Sequence, residues 1–224
     1  MKIAQLLFLS LYIVNLASCQ VGKSKTDKKN SPEMVFQSVV GLNQDKMEKA
    51  YFASGCFWCV EAVYESVKGV QESISGYSGG HTKNPTYESS NTGKTGHAEA
   101  VEIIYDPAVV GFSTLVDVYF GSQNITQVNG QGPDHGSQYR SIIFYQNEDQ
   151  KKIIEYKIAA LNKSIAPEKV AAEVMEFEKF WVGEDYHQNY ERLHPNQGYI
   201  RGVSVPRLKR FQAKFPHLLR GGEH

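Results

Sequence analysis

Cysteine is scarce in this chain, with three residues in 224, and that scarcity excludes a disulfide-built scaffold. A single CxxC, Cys56 to Cys59, has neither a second CxxC nor a closely spaced histidine pair to complete a zinc site. Excess charge is also missing. The 24 basic residues balance the 24 acidic ones, for an isoelectric point near 7.1. No global field therefore draws the chain to phosphate backbones, which argues against nucleic acid as a partner. Internal repeats are absent. What remains is the composition of a globular protein, 41% hydrophobic and 21% charged, with a mean hydropathy of −0.40. That is enough apolar residue to exclude a disordered chain.

The longest apolar run, Ile3 to Leu16 behind Lys2, is too short to span a bilayer as a helix of about 20 residues. It suits a cleaved signal segment. Its ending, Leu16-Ala17-Ser18-Cys19, resembles the lipobox of bacterial lipoproteins, which implies that Cys19 carries a lipid. A plain secretory signal, with Cys19 merely part of it, is the simpler alternative. The expected organisation is a lipoprotein-type signal at 1–19, a flexible Lys- and Ser-containing tether at 20–48, and one catalytic domain at 49–224. The expected location is the cell envelope, with a membrane anchor through Cys19 facing the periplasm or exterior. A monomer is expected.

Within 49–224, the apolar run Ala50 to Ser54 reads as a buried strand ending at Gly55. Phe57, Val60, Tyr64 and Val67 recur at helical spacing directly after it. Strands follow at Val70–Tyr77 and Ala98–Tyr105, with a polar loop at 82–96 between them. A helix from Ser113, as its cap, to Phe120 precedes a second polar loop at 121–138. A strand at 140–145, a helix at 148–163 and a last strand at 170–175 complete the pattern. The order predicts an α+β fold, a ferredoxin-like (split βαβ) two-layer core with an extra helix and long functional loops. The basic tail, Gly198 to His224, reads as a solvated face.

The chemistry concentrates at Gly55-Cys56-Phe57-Trp58-Cys59. Cys56 falls where a strand ends and a helix begins, so free N–H groups and the helix dipole predict a stabilised thiolate. Phe57 and Trp58 beside it offer an apolar slot for a small uncharged group. The CxxC itself is compatible with a redox pair, a structural disulfide or half of a metal site.

Several motifs in register extend the picture. Gly55-Cys56-Phe57-Trp58 with Val60-Glu61 is followed by Gly76-Tyr77-Ser78-Gly79-Gly80, Asn84-Pro85-Thr86-Tyr87 and Gly96-His97-Ala98-Glu99-Ala100-Val101. Tyr105-Asp106-Pro107, Asp134 to Ser141 and Glu184-Asp185-Tyr186-His187-Gln188 complete the set. From about Tyr51 to Tyr199 the chain resembles the peptide methionine sulfoxide reductase A family. The resemblance implies that Cys56 attacks the sulfur of methionine S-sulfoxide while Phe57 and Trp58 hold its methyl group. It implies Glu99 as the acid for the departing oxygen, Tyr87 and Tyr139 as donors to that oxygen, and Asp134 as support near Tyr139. It implies a cysteine sulfenic acid intermediate, a thioredoxin-like reductant, and neither metal nor other cofactor. These roles suit the chemistry, because a neutral sulfoxide needs a soft nucleophile, a proton and donors in an apolar pocket. The three histidines near the motifs, His97, His135 and His187, read as packing or hydrogen-bonding residues.

Two departures from the family pattern stand out. Gln123-Asn124-Ile125-Thr126 replaces the usual His-Asp-Pro-Thr, and the tail carries no recycling cysteine. With Cys19 set aside, Cys59 is the remaining thiol to resolve a sulfenic acid on Cys56; the alternative is that Cys59 is a buried small apolar residue and thioredoxin or another outside thiol attacks the sulfenic acid directly. The rival class is a CxxC thiol–disulfide oxidoreductase, which would leave Tyr87, Glu99 and Tyr139 without a task. A weaker rival is a tethered binding module with Cys59 in a structural bridge.

Overall fold

The computed structural model describes residues 46–221, so the expected signal segment, Cys19 and nearly all of the tether lie outside the described residues. β1 (Glu48–Ala53) forms where the sequence turns apolar, and its last four residues are buried. Gly55 then turns the chain at φ +81°, where a Cβ would sit 2.5 Å from that of Gln131. Only glycine accepts both conditions. α1 (Phe57–Glu65) follows at once and buries Phe57, Cys59, Val60, Val63 and Tyr64. β2 (Val70–Ser78) and β3 (Ala98–Tyr105) come next, and between them lies a one-turn helix, α2 (Tyr87–Asn91). α3 (Phe112–Gly121) leads to a short hairpin, β4 (Gly130–Gln131) and β5 (Asp134–His135). β6 (Ile142–Tyr145), α4 (Glu148–Ile165), β7 (Glu173–Glu176) and β8 (Phe180–Val182) complete the sheet and its cover. α5 (Tyr190–Leu193) and α6 (Val205–Lys214) follow, and a 3₁₀ turn at Pro216–Leu218 comes after them.

The six-stranded sheet has the order β7-β6-β1-β3-β2-β8. β3 lies between β1 and β2 and runs antiparallel to both, with Phe52 opposite Val101 and Tyr77 opposite Glu99. β1 in turn lies between β3 and β6, again antiparallel. The inner four strands therefore make the split βαβ arrangement expected from the sequence. One face of the sheet, with Phe52, Val101, Ile103 and Tyr105, packs on α1, α3 and Phe211 of α6. The opposite face, with Tyr51, Ala98, Ala100 and Phe144, is covered by Phe177 and Phe180, Tyr51 stacking on Phe177 at 3.7 Å. Among the described residues no helix is long and apolar enough to cross a membrane.

Several boundaries differ from the expectation. α3 starts at Phe112 behind Gly111, so Ser113 is inside the helix and caps nothing. The loop at 82–96 contains α2, held by a capping box in which Thr86 and Ser89 bond reciprocally. The loop at 121–138 contains the β4–β5 hairpin, and β7 begins later than position 170. The tail is a solvated face only in part: Arg201, Lys209, Arg210 and Lys214 are exposed, but its other side packs on the domain. A π-turn at Ile200–Ser204 leads into α6, which buries Phe211 and, more unusually, Arg207. The guanidinium is tolerated because it donates to three oxygens: Ser122 O at 2.8 Å, Ser54 O at 2.9 Å and Ser54 Oγ at 2.8 Å.

Glu61 of α1 is also buried, accepting bonds from Ser75 Oγ and the Asn189 N–H. Burial pushes its carboxyl up to about 8, so it is neutral at pH 7. A carboxyl raised on folding binds more protons in the native state than in the unfolded chain. Its stabilising contribution is therefore full at acid pH and is lost as pH rises through about 8. Glu61→Gln, whose amide oxygen can accept from the Asn189 N–H while its NH₂ donates to Ser75 Oγ, is expected to fold and to show a shallower decline of stability between pH 5 and 8. Urea unfolding at a series of pH values measures the slope.

Candidate active site

Cys56 occupies the N-cap position of α1, as the strand-to-helix pattern predicts, and is 7% exposed. The free N–H at the helix start is not available to its sulfur. Phe57 N donates instead to Glu99 Oε2 at 2.9 Å, joining the first residue of α1 to the middle of β3. Cys56 is not set up as a thiolate: burial pushes the thiol up, and the neighbouring Cys59 and Glu99 push it further. The expected stabilised thiolate at Cys56 is thus corrected by desolvation, which outweighs the helix terminus.

The partner sulfur behaves in the opposite sense. Cys59, one turn along α1 and fully buried, is held down to about 6. The Cys56 thiol donating toward it is the main cause, helped by Arg207 and the Ser204 hydroxyl against the cost of burial. Tyr199 links this sulfur to a carboxylate. Its hydroxyl lies 3.6 Å from Cys59 Sγ and donates to Asp134 Oδ2 at 2.5 Å. Asp134 therefore bonds at the Cys59 side of the site, although its charge is still felt by Glu99 and Tyr139.

Glu99 is 2% exposed on β3, on the face it shares with Val101 and Ile103. Burial pushes its carboxyl up to about 8 despite the Phe57 N–H, so it keeps its proton at neutral pH. The two phenols stand close by. Tyr87 opens α2 and is fixed by its own N–H donating to Glu184 Oε1 at 2.9 Å. Tyr139 closes a 3₁₀ turn at Ser137–Tyr139. Both are half-buried and packed on the core, and burial raises both phenols, with Glu99 and Cys56 adding to the effect. They remain O–H donors at any working pH.

Phe57 and Trp58 form an aromatic wall that nothing in the sequence alone could orient. Trp58 Nε1 donates to His187 Nδ1 at 3.1 Å, while its ring stacks on Tyr190 at 3.8 Å. His187 is buried against Phe57 at 4.7 Å and Tyr87 at 4.6 Å. It is the hydrogen-bonding histidine expected, and it fixes the Trp58 rotamer. His97 also plays a structural part, accepting from Gly80 N at 3.1 Å, whereas His135 is exposed. Sequence reasoning missed Tyr199, Arg207 and Glu184. Only the apolar spacing of Val203, Leu208, Phe211 and Phe215 could have signalled that the tail packs at all. Among the described residues no group of three or more His, Cys, Asp or Glu is placed to hold a metal ion.

Two thiols a helical turn apart, beside a carboxyl that keeps its proton at pH 7, equip the chain as a cysteine-dependent oxidoreductase. Comparison with known proteins narrows the class. The family model described as peptide methionine sulfoxide reductase matches residues 48–218, and the chain belongs to that family. It is 45% identical over 182 residues to the peptide methionine sulfoxide reductase MsrA of Polynucleobacter asymbioticus, covering 81% of this chain and 96% of the relative. Identity to the enzyme of the same name from Saccharolobus solfataricus is 46%, over 76% of this chain and 96% of that one. The solved methionine sulfoxide reductase A of Corynebacterium diphtheriae superposes with a TM-score of 0.63 at 31% identity, covering 69% of this chain and 78% of the other.

The inverted pair of thiols has a direct spectroscopic consequence. Ultraviolet thiolate absorbance is expected to grow as pH rises through about 6 and to vanish from that range in Cys59→Ser. A titration near neutrality that persists in Cys59→Ser would assign the low thiol to Cys56.

Proposed function

We infer that this chain reduces methionine S-sulfoxide, free or in proteins, to methionine, and that it repairs oxidised proteins. Glu99 carries the reading. A neutral buried carboxyl, bonded to the residue next to the nucleophile, is what an uncharged S–O group needs in order to break. In the proposed mechanism the substrate methyl group lies against Phe57 and Trp58, with its oxygen toward Tyr87, Tyr139 and Glu99. Glu99 protonates the oxygen as Cys56 Sγ attacks the sulfoxide sulfur, and Cys59 stands ready for the Cys56 proton. The oxygen passes to Cys56, methionine leaves, and Cys56 is left as a sulfenic acid. Asp134 acts at one remove, through Tyr199.

Cys59 is proposed as the resolving thiol. Its sulfur attacks the sulfenic sulfur of Cys56, water leaves, and a Cys56–Cys59 disulfide remains for a thioredoxin-like dithiol to reduce. The thiol–disulfide oxidoreductase reading is disfavoured, since it gives Glu99, Tyr87 and Tyr139 nothing to do. The cellular setting is proposed from the sequence: Leu16 to Cys19 supports a lipid-anchored envelope protein, and the catalytic domain is proposed to act as a monomer.

Glu99→Gln should lower the single-turnover rate on methionine S-sulfoxide about 10²–10⁴-fold with little change in affinity, and the wild-type rate should fall as pH rises through about 8. Peptide mass mapping after one equivalent of substrate should find a Cys56–Cys59 disulfide in the wild type and sulfenic acid at Cys56 in Cys59→Ser. The full chain should partition into detergent, and Cys19→Ala should not.

A further inference from the structure

A cleft of about 730 Å³ opens on Cys59 without being lined by Cys56, Phe57, Trp58, Tyr87, Glu99 or Tyr139. It reaches the redox centre from the Cys59 side, away from the aromatic wall of Phe57 and Trp58. One wall is α6, which turns Arg207, Arg210 and Lys214 toward it. Their spacing of three and four residues puts them on one stripe of the helix. The other wall is built of side-chain amides, chiefly Gln123, Asn124 and Gln131.

The cleft is electropositive by construction. Arg207 is buried on three neutral oxygens, so none of its bonds cancels its charge. Arg210 and Lys214 are exposed. Among the described residues none of the three cations lies within ion-pair distance of a carboxylate. The lining includes one carboxylate, Asp134, whose Oδ2 already accepts from Tyr199. The volume lies in the range of small-molecule sites and is far below that of a folded protein.

We propose that this cleft admits a small thiol bearing carboxylates, which, as a second reductant beside the thioredoxin-like dithiol, reduces the Cys56–Cys59 disulfide by attacking Cys59. The inference rests on Cys59 as the resolving thiol. In the first step the incoming thiolate bonds to Cys59 Sγ, the Cys56–Cys59 bond breaks, and its electron pair leaves with Cys56 Sγ. Cys56 takes up a proton, with Glu99 beside it as the donor. Cys59, bonded to the ligand, carries no charge at that moment, so the repulsion that opposes a Cys56 thiolate in the dithiol is gone. In the second step another molecule of the small thiol attacks the ligand sulfur of the mixed disulfide and frees Cys59. Two small thiols become one small disulfide, and the enzyme regains two thiols. The leaving group of the first step is the nucleophile of the next turnover, released on the substrate side while the reductant stays in the cleft.

The test uses the full chain, oxidised with one equivalent of methionine sulfoxide. Its reduction by mercaptopropionate, mercaptoethanol and cysteamine is followed by mass, each rate divided by the same thiol's rate on a free model disulfide. The anionic thiol should lead the neutral one about tenfold at low salt, with cysteamine slowest. That lead should disappear at high salt and in Arg210→Glu/Lys214→Glu. Equal normalised rates, or a lead that survives the charge reversal, would overturn the proposal. Cys56→Ser, which cannot form the internal disulfide, separates the two readings. Treated with oxidised glutathione, it should form a mixed disulfide on Cys59 at a rate that depends on Arg210 and Lys214. If it does so while the wild type yields no internal disulfide, the cleft stands as a thiol site and Cys59 falls as the resolving residue. If it forms no mixed disulfide at Cys59, the cleft proposal fails.

Discussion

The contact on which the rest depends is the hydrogen bond from Phe57 N to Glu99 Oε2. It sits where the first turn of α1 meets the centre of the sheet, and three separate requirements pass through it. It satisfies an N–H that a helix start would otherwise leave open. It gives a buried carboxyl a partner without forcing it to ionise, since one N–H offsets only part of the desolvation. And it holds the acid and the nucleophile in fixed relation, because Cys56 and Phe57 are adjacent. A carboxylate in place of the acid would bring negative charge against Cys56 in an apolar pocket. The neutral form is therefore a condition of the packing as much as of the chemistry.

Around that contact the site is built by lending rigidity from one element to another. Trp58 is held by His187 and Tyr190, and Tyr87 by Glu184, all from the segment after β8. Glu184 also accepts from Tyr77 OH of β2 at 2.8 Å, so one carboxylate fixes both a strand and the start of α2. The junction carrying Cys56 is fixed from the other side by Arg207, whose bonds fall on Ser54 and Ser122. Loops that look unstructured thus carry positions as well defined as those of the sheet.

How much of this was legible in the sequence follows from how local each cause is. The Cys56 junction could be read because an apolar run stops at Gly55 and helical spacing begins just beyond it. Glu99 could be read because alternation placed it with Val101 and Ile103. The four inner strands gave their order through local pattern and connection length. α2 and β8 escaped, because α2 is fixed by Glu184 and β8 by pairing with β2. Arg207 escaped for a different reason: a basic residue in a basic stretch looks solvated until the carbonyls that receive it are known. The same holds for the Cys56 thiol, where the helix start was visible and the burial that outweighs it was not.

Arg207 also gives the molecule a sense of time. The motif residues of the nucleophile, the acid and both phenols all precede it in the chain, so they leave the ribosome before the group that clamps Ser54. Until α6 docks, the Gly55 turn lacks its outer brace, and the face of α1 that carries Cys59 is open to water. A partly made chain therefore holds every reacting group without the arrangement that makes them a site. Completion of the reactive centre falls to a late segment whose own residues take no part in breaking the S–O bond.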